Sequence, residues 1–172
     1  MNLELKAFLR ENELFSGLTD EQLEIVTRHL NLRKFGRGER IFSRGEEGKA
    51  FYVVRSGRVE IFIPDPQSGL DRVVEEVKPH GAFGEVALLT GTSRSASARA
   101  LEDCELIVFG GKTFVALLEK LPGVGFALSR LLADRLGHHQ EQQGISFIQL
   151  SRIEADPRIF QKLPKRVITK NK

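Results

Sequence analysis

Residues 83–96 read Phe83-Gly84-Glu85-Val86-Ala87-Leu88-Leu89-Thr90-Gly91-Thr92-Ser93-Arg94-Ser95-Ala96. Residues 85–89 are predicted to form one short helical turn, whose first backbone N–H groups are free to bind an anion. Gly84 allows the backbone to approach a ligand closely, and we expect a strand to end at Gly81, just before it. Arg94 follows among small residues that leave room around its side chain.

This combination of charges limits the ligands that the stretch can bind. One guanidinium, one carboxylate and one helix start suit a ligand with a single phosphate and a hydroxyl group. The phosphate-loop spacing with its lysine and the dinucleotide glycine fingerprint are both absent from the sequence. A second interpretation stays open, in which Glu85 and Arg94 form a structural ion pair in a pocket that binds nothing.

The sequence on both sides of this stretch has the pattern of a β protein. Between residues 32 and 109, short apolar runs recur about every ten residues and are separated by glycines. Such spacing predicts an antiparallel sandwich or barrel. The predicted strands cover residues 40–42, 51–54, 59–63, 72–77, 97–100 and 105–109.

Helices are predicted at both ends of the strand region. Thr19 and Gln22 form a capping-box pattern that begins a helix over 19–30, and a short helix over 3–12 precedes it. After the strands, one helix begins near Thr113, and a second begins near Pro122, because proline is favoured in the first turn of a helix. The apolar stripe of the second helix comprises Val124, Leu128, Leu131, Leu132 and Leu136.

The stretch 83–96 resembles the phosphate-binding cassette of the cyclic-nucleotide-binding domain, the sensor module of protein kinase A regulatory subunits and Crp/Fnr-type regulators. The family pattern is F-G-E, an apolar residue, A-L, a short turn, R, a small residue and A, and all of it is present without insertion. Residues 36–45 and 51–59 resemble the N-terminal strands and turns of the same family. Together the similar segments span roughly residues 12–140.

The resemblance implies a fold and a division of the chain. The fold class is mainly β with flanking helices: an antiparallel β-roll or jelly-roll barrel with N-terminal helices and a C-terminal helical lid or hinge. The domain is expected to cover 1–143, with the β-roll over about 32–110 and the C-terminal helices over about 113–143. Residues 144–172 would then form a basic C-terminal extension.

The resemblance also implies a role for each cassette residue. Glu85 is expected to accept a hydrogen bond from the ribose 2′-hydroxyl, and Arg94 is expected to pair with the cyclic phosphate. The other expected ligand-binding residues are Gly84 and Ala87 in the phosphate cradle, Ser95 beside the phosphate and the base edge, Ala96 at the end of the cassette, and Val74 and Val86 against the purine. For Val74 and Val86, the interpretation as plain core residues is favoured over that as selective contacts.

The implied ligand is cAMP or cGMP, and no metal is expected. In the family, Thr after the arginine often accompanies cGMP preference, whereas Ser occurs in bacterial cAMP binders, so Ser95 favours cAMP. The four histidines have no metal-ligand spacing with a carboxylate, and no catalytic constellation is evident, so we expect no enzyme activity. The histidines are His29, His80, His138 and His139.

The expected function is a sensing module in which ligand occupancy repositions the C-terminal helices to control a partner or an attached output domain. The alternative is a structural or protein-interaction domain on the same fold, with ligand binding lost. Helix 122–143 either packs on its own roll, covers the base as a lid, or forms the seam of a homodimer.

Charge is distributed unevenly along the chain. Residues 157–172 hold six basic groups and no acid, whereas the rest of the chain carries an excess of three acidic groups. The main body is therefore not a basic nucleic-acid binder. The 28 residues after Gly144 are too few for a helix-turn-helix domain, so we expect no DNA binding.

The ends of the sequence carry the remaining expectations. No run approaches the length of a membrane span, and the start lacks the pattern of a signal peptide, so we expect a cytoplasmic protein without a membrane segment. The tail 145–172 either binds a protein partner, packs on the roll or stays loose. The end of the sequence also contains Gly144-Ile145-Ser146-Phe147, Leu150, Asp156-Pro157 and Leu163-Pro164. These residues faintly resemble the opening of the N-terminal domain of type II secretion and type IV pilus assembly ATPases, which would make the chain part of a longer protein or a relic of one.

Overall fold

The computed structural model describes residues 2–143, with side chains described for 3–135. Helices α1 (Asn2–Glu11) and α2 (Asp20–Arg28) come first. The strands are β1 (Asn31–Phe35), β2 (Arg40–Phe42), β3 (Ala50–Ser56), β4 (Val59–Pro64), β5 (Asp71–Val77), β6 (Ala82–Phe83), β7 (Ser97–Ala100) and β8 (Cys104–Gly110). Helix α3 (Glu85–Thr90) lies between β6 and β7, and α4 (Gly111–Lys120) and α5 (Pro122–Gln143) follow β8.

The strands form two antiparallel sheets of four strands each. One sheet has the order β1-β8-β3-β6, and the other has the order β2-β7-β4-β5. Side chains from both sheets, such as Tyr52 and Val108 from the first and Phe42 and Val59 from the second, belong to one buried apolar cluster. The predicted antiparallel β-roll with flanking helices is therefore confirmed, as two facing sheets rather than a closed barrel.

The turn between β5 and β6 corrects one expectation about the cassette. No strand ends at Gly81, because β5 ends at Val77 and Gly81 leads into β6. A Cβ on Gly81 would lie 2.6 Å from Val77 Cγ1. His80 adopts a left-handed backbone conformation with φ of 69°, and its N–H donates to the Val54 carbonyl over 2.9 Å. The turn is therefore fixed by its contact with β3.

Helix α2 has the predicted cap, and the end of α1 contacts this turn. Thr19 and Gln22 form the predicted capping box at the start of α2. Asn12, which is fully buried, donates from Nδ2 to the His80 carbonyl over 2.6 Å and accepts from the Leu14 N–H over 3.0 Å. A buried amide is tolerated only when its polar atoms are bonded. The bond to His80 attaches the end of α1 to the β-roll, and the bond from Leu14 holds the Asn12 side chain within its own turn.

The C-terminal helices begin as the proline and the apolar pattern predict. Phe114 of α4 is fully buried and stacks on Phe51 of β3 with ring centroids 4.1 Å apart. Pro122 opens α5, and Val124 and Leu128 of the predicted stripe are buried. This part of the stripe is therefore covered within the chain.

The predictions for the tail 144–172, and for the side chains of 136–143, lie outside the described part of the chain. Among the helices that the structure describes, none combines the length and the apolar character needed to cross a membrane. Within the same residues, no cluster of three His, Cys, Asp or Glu side chains is arranged to hold a metal ion.

Candidate functional site

The cassette forms a helix between two left-handed glycines. Gly84 at the start of α3 has φ of 85°, and Gly91 at its end has φ of 68°. Gly84 carries no side chain, so α3 begins without a side-chain cap. Glu85 and Ala87 are buried, whereas Val86 is 45 % exposed. The interpretation of Val86 as a core residue is therefore wrong, and its side chain is on the accessible face of α3.

Arg94 is the centre of the candidate site, because its guanidinium is buried and only partly bonded. The residue is 5 % exposed. Nη1 donates to the Gly84 carbonyl over 2.6 Å, and Nη2 donates to the Ala50 carbonyl over 2.7 Å. The Nε atom is buried without a hydrogen-bond partner. Nη1 and Nη2 are thus oriented by neutral backbone acceptors, and the Nε–H group remains available to donate a hydrogen bond.

Two aromatic rings support the guanidinium from the core. The Arg94 Cζ atom lies 4.2 Å from the centroid of the Phe42 ring and 5.8 Å from that of Tyr52. Tyr52 in turn stacks on Phe83, with centroids 5.0 Å apart. The sequence predicts Phe42 and Tyr52 only as strand positions and Phe83 only as the first residue of the cassette. The signal that could have identified them is their strand register, which places Tyr52 opposite Phe83.

The backbone of Arg94 is fixed as firmly as its side chain. Its N–H donates to the Glu46 carbonyl over 2.8 Å, and its carbonyl accepts from the Gly45 N–H over 2.9 Å. An isolated bridge between Glu47 and Ser93 continues this contact. The loop between β2 and β3 therefore holds the arginine in a single backbone position.

The electrostatics of the site follow from burial. Burial lowers the pKa of Arg94, while the nearby Tyr52, Glu85 and Glu46 raise it. An arginine side chain keeps its proton in proteins, so the site contains a permanent cation. Burial also raises the pKa of Tyr52, against the opposing effect of Arg94. The tyrosine is therefore a neutral hydrogen-bonding group at ordinary pH.

The structure brings the predicted pair of charges together. Glu85 is 2 % exposed, and its carboxylate stabilises the charged form of Arg94. This proximity suits the ligand site and also suits the alternative, a structural ion pair. Ser95 is exposed and Ala96 is half-buried directly after the arginine.

Val74 belongs to β5 in the second sheet, whereas α3 contacts β3 of the first sheet. Within β5, Val74 occupies an irregular position. Ile61 pairs with Glu75, whereas the next residue, Phe62, pairs with Val73. Val74 is therefore the extra residue of a β-bulge, an irregularity that redirects neighbouring side chains. It is half-buried, so it is neither a plain core residue nor a fully exposed one.

A two-sheet β-roll with a short helix and a buried arginine between β6 and β7 is the architecture of a small-ligand regulatory domain. The chain belongs to the cyclic nucleotide-binding domain family, whose model matches residues 32–121.

Characterised relatives agree with this assignment. The chain is 37 % identical over 128 residues to the cyclic AMP receptor protein of Thermus thermophilus, covering 74 % of this chain and 59 % of the relative. It is 33 % identical over 114 residues to the regulatory subunit of cAMP-dependent protein kinase from Dictyostelium discoideum, covering 66 % of this chain and 35 % of the relative. The chain thus spans less than two thirds of the length of either relative.

Solved structures show the same fold. The crystal structure of the Thermus thermophilus catabolite activator protein superposes with a TM-score of 0.70 at 35 % identity, covering 78 % of this chain and 62 % of the other. The regulatory domain of Toxoplasma gondii protein kinase A, co-crystallised with cAMP, superposes with a TM-score of 0.61 at 31 % identity, covering 67 % of this chain and 44 % of the other.

The two glycines that flank α3 allow a matched test of the site geometry. A Cβ on Gly84 would lie 2.8 Å from Arg94 Nη1 and 3.2 Å from Tyr52 Cδ2, whereas a Cβ on Gly91 would meet nothing within 4 Å. Both Gly84→Ala and Gly91→Ala impose a left-handed backbone on alanine, at roughly 1–2 kcal/mol of stability. Only Gly84→Ala displaces the guanidinium, so we expect it alone to weaken cyclic nucleotide binding, by tenfold or more.

Calorimetric titration and thermal unfolding of both variants measure this difference. Equal affinities of the two variants for cyclic nucleotide would show that the position of the guanidinium does not control binding.

Proposed function

We propose that this chain is a cyclic-nucleotide-sensing regulatory module, with cAMP as its ligand, in which occupancy repositions the C-terminal helices. The observation that supports the proposal most strongly is the buried, unpartnered Nε of Arg94. A buried donor without an acceptor carries a desolvation penalty of about 1–3 kcal/mol. A ligand phosphate would remove that penalty and add a charge-assisted bond.

The residues around Arg94 suit the other parts of such a ligand. The absence of a Cβ at Gly84, and the backbone N–H groups of Glu85 to Ala87, would let a cyclic phosphate approach the guanidinium. Glu85 would accept a hydrogen bond from the ribose 2′-hydroxyl, and Ser95 would contact the phosphate and the base edge. Ala96 would complete the cassette, and Val74 and Val86 would supply apolar contact to the purine.

The choice of cAMP rests on two supports. Ser95 follows the arginine, where the family resemblance favours cAMP. The related regulatory domain from Toxoplasma gondii was crystallised with cAMP.

The path from the ligand to the helices would run through α3. This helix contacts both β3 and α4. At the start of α4, a Cβ on Gly111 would lie only 2.8 Å from Leu88 Cδ2, so Leu88 of α3 packs directly on the first residue of α4. A ligand shifts such a pair of helices only to the extent that it binds one arrangement more tightly than the other. The roles of 113–143 as lid and hinge belong to this proposal.

The proposed module is cytoplasmic and non-enzymatic, and its ligand is its principal partner. A second copy of the chain through helix 122–143, and a protein that binds the tail 145–172, are the proposed macromolecular partners. The boundaries 1–143 for the domain and 144–172 for the extension are part of the same proposal. Contact with DNA or with a membrane is not part of the proposal.

A second candidate function has its own support. The two backbone carbonyls that bind Nη1 and Nη2, together with the charge of Glu85, stabilise Arg94 without any ligand. A structural or protein-interaction domain with the same fold would retain these contacts. The two functions differ in whether the protein responds to nucleotide.

Titration separates the two candidates. We expect cAMP and cGMP to bind the purified chain with micromolar or tighter affinity and to raise its melting temperature, because a ligand at a hundredfold excess over its Kd stabilises by about 2.7 kcal/mol. Adenosine 5′-monophosphate, which carries an open phosphate, is the control and should bind more weakly. Absence of heat and of any thermal shift with either cyclic nucleotide at millimolar concentration would favour the structural domain.

A further inference from the structure

One row of side chains crosses the inner face of the second sheet and ends in a carboxylate. The register pairs Phe42 with Ala98, Ala98 with Ile61, and Ile61 with Glu75. Directly paired residues project from the same face of a sheet. Phe42 and Ala98 belong to the buried apolar cluster, and Ile61 packs against it. Glu75 therefore lies on the inner face, at the opposite end of the row from Phe42.

The pattern along β5 supports the same placement independently. Val77 belongs to the buried cluster, and residues two apart in a strand share a face. Glu76, between them, is on the outer face, where its carboxylate pairs with Arg58 over 3.2 Å. Glu75 is half-buried and Glu76 is exposed. Two adjacent glutamates of one strand thus face opposite environments.

The row connects this carboxylate to the proposed phosphate site. The Arg94 guanidinium lies over the Phe42 ring, at the β2 end of the row. Strands β2 and β5 are the two edges of the four-stranded sheet, so their backbones are about 14 Å apart, or three strand spacings. The Arg94 guanidinium is therefore at the β2 end of this span, and Glu75 is at the β5 end. A ribose with a purine is an extended group of the size that would connect them.

We propose that Glu75 selects the purine by accepting a hydrogen bond from the N6 amino group of adenine. This inference rests on the proposed function and assigns the base-reading residue within it. With the phosphate on Arg94, the 6-substituent is at the end of the purine away from the sugar. Adenine carries an amino donor at this position, whereas guanine carries a carbonyl acceptor. A carboxylate attracts the first and repels the second.

The bond to adenine would be charge-assisted, because the acceptor is ionised, and such bonds are among the stronger ones in proteins. A site built around one polar contact discriminates strongly against a ligand that lacks the matching group. Glu75 already interacts with a neighbouring group in the ligand-free protein. The amino group of adenine would share or replace that contact.

Calorimetric titration of the full chain with three ligands tests the assignment. The ligands are cAMP, cGMP and the cyclic monophosphate of unsubstituted purine riboside, which lacks the 6-amino group. We expect the wild-type protein to bind cAMP at least tenfold more tightly than either of the others. Glu75→Gln should remove most of the advantage of cAMP over the unsubstituted purine and should relieve the exclusion of cGMP.

Glu76→Gln is the matched control, since it makes the same change one residue away on the outer face, and its ligand preferences should be those of the wild type. Thermal unfolding verifies that both variants fold. A wild-type preference for cGMP, or an equal loss of affinity for all three ligands in Glu75→Gln, would overturn the assignment. Failure of every cyclic nucleotide to bind the wild type would instead overturn the proposed function, and this inference with it.

Discussion

Arg94→Ala is expected to abolish cyclic nucleotide binding in the measurable range. The substitution removes the buried cation that would bind the phosphate, including the unpartnered Nε. A hydrogen bond to a charged group contributes about 1.5–3 kcal/mol, and several such bonds to one phosphate would be lost together. A loss of at least a hundredfold in affinity follows. Calorimetric titration with cAMP and cGMP measures it directly.

Two further variants define what the loss means. Arg37→Ala removes the same charge from an exposed turn and should leave the affinity unchanged. Arg94→Lys keeps the charge but cannot donate to the Gly84 and Ala50 carbonyls and to a phosphate at the same time, because an ammonium lacks the planar fork of arginine. It should also bind weakly. Full affinity in a folded Arg94→Ala protein would place the phosphate elsewhere.

Phe114→Ala is expected to lower the free energy of unfolding by about 3–5 kcal/mol, the usual range for deleting a buried phenylalanine side chain. The residue is fully buried and stacks on Phe51 with centroids 4.1 Å apart and planes 20° apart. It also contacts Phe109, at 6.2 Å between centroids. This aromatic group joins α4 to β3 and β8. Urea unfolding followed by circular dichroism measures the change, since the chain has no tryptophan.

The neighbouring residue provides the control for this prediction. Val115 is 40 % exposed, so Val115→Ala should change stability by about 0.5 kcal/mol or less, as most surface substitutions do. Phe114→Leu keeps part of the buried volume and should fall between the two. If Phe114→Ala lost no more stability than Val115→Ala, the aromatic contact would not be what attaches α4 to the roll.

Local patterns in the sequence were sufficient to predict most of the fold. Thr19 and Gln22 identify the start of α2 because a capping box is made by residues three apart. Pro122 identifies the start of α5 for an equally local reason. Strand β1, in contrast, has an exposed and charged sequence, and β6 has only two residues. Both depend on pairing with β3 and β8, which no local pattern contains.

The candidate site was predictable in part for the same reason. Gly84, Glu85 and Arg94 lie within one continuous stretch, so their chemistry could be analysed before the structure. The aromatic support of Arg94 and the inner-face position of Glu75 depend on strand register. The bulge at Val74 shifts that register by one residue, and a one-residue shift moves a side chain to the other face of a sheet.

Tyr52 is the one tyrosine of a sequence that contains no tryptophan. Its ring stacks on Phe83 and lies beside the Arg94 guanidinium. The near-ultraviolet fluorescence of the whole chain therefore originates almost entirely from one ring at the candidate site. The protein carries an intrinsic optical reporter there, and a change at Arg94 can be followed in solution without a dye or an introduced label.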